Sequence, residues 1–399
     1  MKRKSLLIVL GVVLVCVLVL ALVGVNLLSE ENLKEQPNIL VGVDVGYGDE
    51  SDVYRVADAV QGYANLIIIG SLNVTSDPAK LTRVCDYLYD KGFSFIVFVG
   101  YGPVMPKGPD PQFFNTTVKQ WGSKFLGAYI FDEPGGKQLD YSPGSLHYID
   151  KPIKQASNYT DAAEQYVKDI YSFAIDYAGP TYYDAPNLEV FTSDYALYWF
   201  DYLSGYNAVL AQFVGNQSRQ IAISLCRGAA NVQGRDWGAI ITFSQGSTIE
   251  NPQQLYSDMV LAFENDAKYI VVFDSSSNQT STPGIGLLTA QHLDSMKRFW
   301  TYAIAHPRVD LDPAEVAYVL PADFGFGFRG TNDTVWGLTF PLNETDSALQ
   351  SKIWNDTNNL VAQYGEKLDI VYENLVDGFH SRLVYDGLIY YNGTIVGKI

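Results

Sequence analysis

The chain has 399 residues, 47% of them hydrophobic and 18% charged, and its 44 acidic against 27 basic residues leave a net charge of −17. That balance excludes the basic surface that phosphate binding needs, and with it nucleic acid as a partner. The four histidines (His147, His292, His306, His380) are isolated, no Cys/His cluster has metal-ligand spacing, and neither a Walker loop nor a G-x-S-x-G elbow occurs, so neither a metal nor a cofactor is expected.

Lys2, Arg3 and Lys4 precede an uncharged apolar run, residues 6–28. The run is long enough for a helix to cross a bilayer, and the basic residues place the C-terminal remainder of the chain outside. Residues 1–28 are therefore read as a transmembrane signal anchor and 29–37 as a linker, with a cleaved signal peptide as the alternative. Nine N-x-S/T sequons lie beyond the linker, at Asn73, Asn115, Asn158, Asn216, Asn278, Asn332, Asn343, Asn355 and Asn392. Composition alone would place about three by chance. The excess points to an extracytoplasmic glycoprotein; the alternative is that Asn, Ser and Thr simply crowd into loops. Cys85 and Cys226 are the only cysteines beyond the apolar run. Two thiols are no disulfide framework, and whether they pair is left open.

From residue 38 two patterns alternate. Short continuous runs of Val, Ile, Phe and Tyr read as buried parallel strands; they lie at 39–46, 66–70, 94–100, 126–132, 188–193, 207–213, 238–243 and 269–274. Helical segments separate them, one opening at an Asp77 cap and stopping at Gly92. Eight such strands predict an α/β fold, a (β/α)8 TIM barrel over 38–308; a doubly wound open sheet is the alternative. Residues 309–399 read as a C-terminal α/β appendage of strand, aromatic-glycine loop, helix and further strands. The stretch 134–158, opening Pro-Gly-Gly, reads as a long loop.

In a (β/α)8 barrel the chemistry sits at the C-terminal strand ends. Acids, amides and tyrosines recur there: Asp44 and Tyr47, Tyr101, Asp132 and Glu133, Asp194 and Tyr195, Gln212, Gln245, and Asp274. Such a mouth suits sugars, whose C–H faces stack on aromatic rings and whose hydroxyls pair with carboxylates and amides. Glycoside cleavage needs one carboxyl that still holds its proton and a second that is ionised, and burial or a neighbouring like charge separates the two. In extended geometry, adjacent Asp132 and Glu133 point to opposite sides, so one of them is expected to face the pocket. Structural readings stand beside these: Asp274 as an Asx turn, Asp194 as a helix cap, Asp44 as a paired core acid. The aromatics between Tyr182 and Tyr206 read mainly as core. The loop 324–330 with Trp336 either folds over the mouth, offering Arg329 and Trp336 to a substrate, or seals the appendage.

The stretch D-E-P after the fourth apolar run resembles the N-E-P of the clan-A (β/α)8 glycoside hydrolases. The resemblance implies Glu133 as general acid/base and Asp132 in the place of the Asn that holds the sugar 2-hydroxyl. Two departures are visible: Asp replaces Asn, and no Glu ends the seventh strand, Glu250 lying several residues beyond it. With the N-terminal anchor, the resemblance and the strand-end acids together lead us to expect a membrane-anchored protein that cleaves or binds carbohydrate, with Asp132, Asp274, Asp194 or Asp44 as the second carboxylate. A non-catalytic glycan-binding or structural surface glycoprotein is the alternative.

Overall fold

The computed structural model describes residues 39–100, 108–109, 111–145, 148–181, 184–185, 187–241, 250–274, 288–308, 314–331, 333–340, 344–373 and 385–398, with backbone alone at 111–112, 115, 117–118, 149, 177 and 344–346. The expected membrane segment 6–28, Tyr101, Gln245, Asn278, Asn332 and Asn343 lie outside them, as does the side chain of Asn115. Among the described residues no helix is long and apolar enough to cross a membrane.

Eight parallel strands close on themselves: β1 (Leu40–Val45), β2 (Leu66–Ile69), β3 (Ser94–Val99), β4 (Phe125–Ile130), β5 (Val190–Asp194), β6 (Ala208–Phe213), β7 (Asp236–Ile241) and β8 (Tyr269–Asp274). β8 pairs back onto β1 over six residues, so the sheet has no edge and the doubly wound alternative is ruled out. Both faces of each strand are covered, which explains the continuous apolar runs. Inward residues such as Leu66, Ile68, Ile96, Tyr129, Phe191, Leu210 and Val271 fill the barrel. Outward ones meet the surrounding helices.

Those helices are α1 (Glu50–Val60), α2 (Pro78–Asp90), α3 (Pro111–Trp121), α4 (Pro134–Asp140), α5 (Tyr159–Tyr171), α6 (Tyr198–Leu203), α7 (Arg219–Gln233), α8 (Pro252–Glu264) and α9 (Ala290–Ala305). Side chains that accept the orphan amides of a first turn start many of them. Asp77 does so for α2, as its position before Pro78 predicts, and Asn158, Ser218 and Asn251 do so for α5, α7 and α8.

The helix α4 overturns the reading of 134–158 as loop throughout. Two glycines argue against a helix, but here they permit close approach. A Cβ on Gly135 would stand 2.4 Å from Ala196 O, and one on Gly136 would stand 2.2 Å from the Tyr195 ring. Pro134 takes the first helical position, where its missing N–H costs nothing.

The appendage is a second sheet, ordered β10-β9-β11-β12, with β9 (Val316–Leu320), α10 (Glu344–Tyr364), β10 (Leu368–Tyr372), β11 (Gly387–Tyr390) and an antiparallel edge strand β12 (Ile395–Gly397). It docks on α7 through one buried cluster. Arg227 pairs with Asp369 at 2.8 Å and donates to Asn265 at 2.7 Å, while Asn231 and Tyr385 also donate to Asp369. Cys85 and Cys226 are buried on α2 and α7 as free thiols, so they form no disulfide.

Candidate active site

The strand β4 ends at Ile130, and the chain then turns sharply. Phe131 and Glu133 both have φ of 56°, the left-handed region that non-glycine residues adopt at a cost of about 1–3 kcal/mol. This turn is held from β5 and β6: Thr192 Oγ1 donates to Phe131 O at 2.9 Å, Glu133 N to Ser193 O at 2.9 Å, and Tyr206 OH to Ile130 O at 3.1 Å. Extended alternation is broken, and the expectation that Asp132 and Glu133 face opposite sides fails with it. Both enter one chain of hydrogen bonds. Asp132 Oδ1 accepts from the Tyr129 hydroxyl and from Ser193 Oγ at 3.0 Å; Gln212 Nε2 donates to Ser193 Oγ at 2.9 Å and to Glu133 Oε1 at 2.8 Å. Lys137, one turn into α4, donates to the Asp132 carbonyl rather than its carboxylate.

The electrostatics stem from burial without a paired cation. Desolvation, then the Asp132 charge, raises the Glu133 carboxyl to about 8, against the opposing pull of Gln212 and Lys137. Glu133 therefore keeps its proton at neutral pH. Asp44, an inward residue of β1, is held well above the usual carboxylate range by burial, then by the charges of Asp132 and Asp274. The same forces keep the buried Tyr129 hydroxyl neutral. The mouth thus offers proton-bearing carboxyls beside a negative charge, the division of labour that acid-catalysed cleavage requires.

The other expected site residues separate. Gln212 is in the network. Tyr47 stands on the rim after β1, 46% exposed, its ring centroid 6.5 Å from that of Phe273. Asp274 is buried at the top of β8, and its Oδ1 accepts from Leu288 N at 3.3 Å. Asp194 faces out of the barrel instead. Its carboxylate takes the amides of Gly135 and Gly136 at 2.5 and 2.9 Å and those of Tyr195 and Ala196 at 2.7 and 3.1 Å. It is thus a cap, though for α4 rather than α6. Tyr195 donates to Asp140 at 2.6 Å. Arg329 pairs with Asp333 and Asp140 at 2.7 and 2.5 Å, and Trp336, fully buried, packs its ring on Tyr166 and Phe200. The loop carrying them seals the appendage against the barrel, so neither Arg329 nor Trp336 is presented to a ligand. Glu250 is likewise engaged, paired with Arg219 at 2.8 Å.

Ser193 and Tyr129 were not expected at the mouth. Parity is the signal that identifies them: with Phe191 pointing inward, Ser193 must as well and Asp194 must not.

No protein-family model matches the sequence, and no curated protein does. The fold has clear neighbours. A polyextremophilic beta-galactosidase from the Antarctic haloarchaeon Halorubrum lacusprofundi superposes with a TM-score of 0.54 at 12% identity, over 88% of this chain and 69% of that one. A GH5_18 protein from Streptomyces cattleya, solved with GlcNAc, gives 0.53 at 11%, over 86% and 92%. A GH5_18 protein from Bifidobacterium longum subsp. infantis gives 0.50 at 11%, over 90% and 98%. The chain has the (β/α)8 fold of these glycoside hydrolases.

Proposed function

We propose that the protein acts on carbohydrate as a glycoside hydrolase, with Glu133 as the general acid. The observation that carries this reading is a carboxyl at the end of β4, raised to about 8 and oriented by Gln212. Glu133 would pass its proton to the leaving glycosidic oxygen as the C–O bond breaks, and water would add to the sugar carbon in its place and return a proton to Glu133. The negative charge of Asp132, with Asp274 across the mouth, would oppose the positive charge that develops on the sugar ring. Tyr47 would stack on a sugar face.

The test is an assay of the full chain on 4-nitrophenyl β-galactoside and N-acetyl-β-glucosaminide, chosen from the named neighbours. Glu133→Gln should lose turnover by roughly 10²–10⁴-fold. Wild-type activity should fall as pH rises through about 8, where the acid gives up its proton. Equal turnover in both proteins would remove Glu133 from the mechanism. A second reading, binding without cleavage, is favoured by the capture of Glu250 by Arg219; wild-type binding with no turnover would establish it.

The same proposal places the protein outside a membrane, anchored through 6–28 and glycosylated. Supporting this, Asn73, Asn158, Asn216, Asn355 and Asn392 are all exposed.

A further inference from the structure

Asp44, at the mouth, has an unanswered polar atom. It is 3% exposed, and its Oδ1 is buried without a hydrogen-bond partner. Parity on β1 turns it inward with Leu40, which packs into the barrel interior, while Val41, Val43 and Val45 meet the helices. The carboxyl leans over the end of β2 into space that glycine leaves there: a Cβ on Gly70 would stand 2.2 Å from Oδ1 and 3.2 Å from Cγ. The titratable groups whose charge it feels, Asp132 just beyond β4 and Asp274 at the end of β8, are both acids. No Lys, Arg or His among the described residues pairs with it.

Leaving a buried polar atom unpaired costs free energy, and leaving a buried charge unpaired costs far more. Acids that serve the fold are answered, Asp369 by Arg227 and Asp194 by four backbone amides, whereas Asp44 Oδ1 has neither kind of partner. An uncharged carboxyl, in contrast, offers one O–H to donate and one C=O to accept. A sugar hydroxyl, itself donor and acceptor, satisfies both.

We infer that Asp44 is a ligand-binding residue of the barrel mouth, its carboxyl donating one hydrogen bond to a sugar hydroxyl and accepting another. The inference rests on the carbohydrate reading and adds a contact to it.

The test measures affinity for GlcNAc and for 4-nitrophenyl β-galactoside by calorimetry on the full chain. Asn preserves one donor and one acceptor, so Asp44→Asn should bind within about 3-fold of wild type. Asp44→Leu should weaken binding by about 10–100-fold, the loss expected for one polar contact to a buried group. Should the Leu protein fail to fold, Gly70→Ala pushes the carboxyl aside and is expected to weaken binding in the same direction. A Leu or Gly70→Ala protein that folds and binds as wild type overturns the inference alone. So does an Asn variant as weak as the Leu one, because that outcome requires a negative charge. Wild type binding neither sugar overturns this inference and the carbohydrate reading together.

Discussion

The barrel mouth and the seam between α7 and the second sheet bury carboxyl groups in opposite ways. In the seam, Asp369 has Arg227, Asn231 and Tyr385 as donors, and nearby Asp258 and Glu250 share Arg219 at 3.0 and 2.8 Å. At the mouth no cation pairs with Asp44, Asp132 or Glu133 among the described residues; hydroxyls and an amide serve Asp132 and Glu133 instead. An acid neutralised by arginine is committed to holding elements together. The acids held by Tyr129, Ser193 and Gln212 are buried with no cation committed to them. Burial is common to both regions, and the partner makes the difference.

The largest expected effect tests the seam. Arg227→Met should leave Asp369 buried and uncompensated, lowering unfolding free energy by roughly 3–5 kcal/mol in urea titration. Unchanged stability would mean that the seam acid does not depend on its cation, and the comparison would break. A middle-sized effect tests the corner that carries Glu133. In Gly136→Ala the new Cβ must displace the Tyr195 ring, at a cost of roughly 1–3 kcal/mol. Because Gly136 N also binds Asp194, the alkaline limb of the pH–activity profile should move as well. A lowered melting temperature with an unmoved limb would separate the corner from the acid.

A pH-dependent effect concerns Glu133 and sharpens the comparison, since it has the sign opposite to the seam. The folded-state value of about 8 lies above the ordinary 4.5. Between those values the native state holds a proton that the unfolded chain releases, so stability falls as pH rises through the window. Glu133→Gln has no such loss. It should match wild type near pH 4 and exceed it above pH 8, by up to several kcal/mol at about 1.4 kcal/mol per pKa unit. Equal stability at both ends would mean that the carboxyl is better solvated than its burial implies.

Much of the fold was legible because a parallel barrel writes each strand as an unbroken apolar run. The runs at 39–46 and 269–274 mark the two strands that close the sheet, β1 and β8. What misled was chemistry that looks alike in one dimension. Gly135 and Gly136 read as loop because their reason lies in Ala196 and Tyr195, on another strand's exit. Whether Arg329 and Trp336 cover the mouth or seal the appendage stayed open in the sequence, because their partners, Asp140, Tyr166 and Phe200, are found only in three dimensions. Asp194 drew notice by its charge, while its neutral neighbour Ser193 occupies the inward position. The acids at the end of β4 were located correctly by strand order. That both join one network depends on two left-handed residues that nothing in the spelling of YIFDEP announces.

The corner holding Glu133 is completed from far along the chain. Gln138 donates to the carbonyl of Trp336, 198 residues later, and Lys151 to that of Gly337, 186 residues later. Contacts of such separation form late, because the loop they close must be ordered first. On a ribosome all eight strands emerge before those two carbonyls do. The turn carrying Glu133 can thus be set by Thr192, Ser193 and Gln212 as the barrel closes, while α4 behind it gains its last contacts only when Trp336 and Gly337 have emerged.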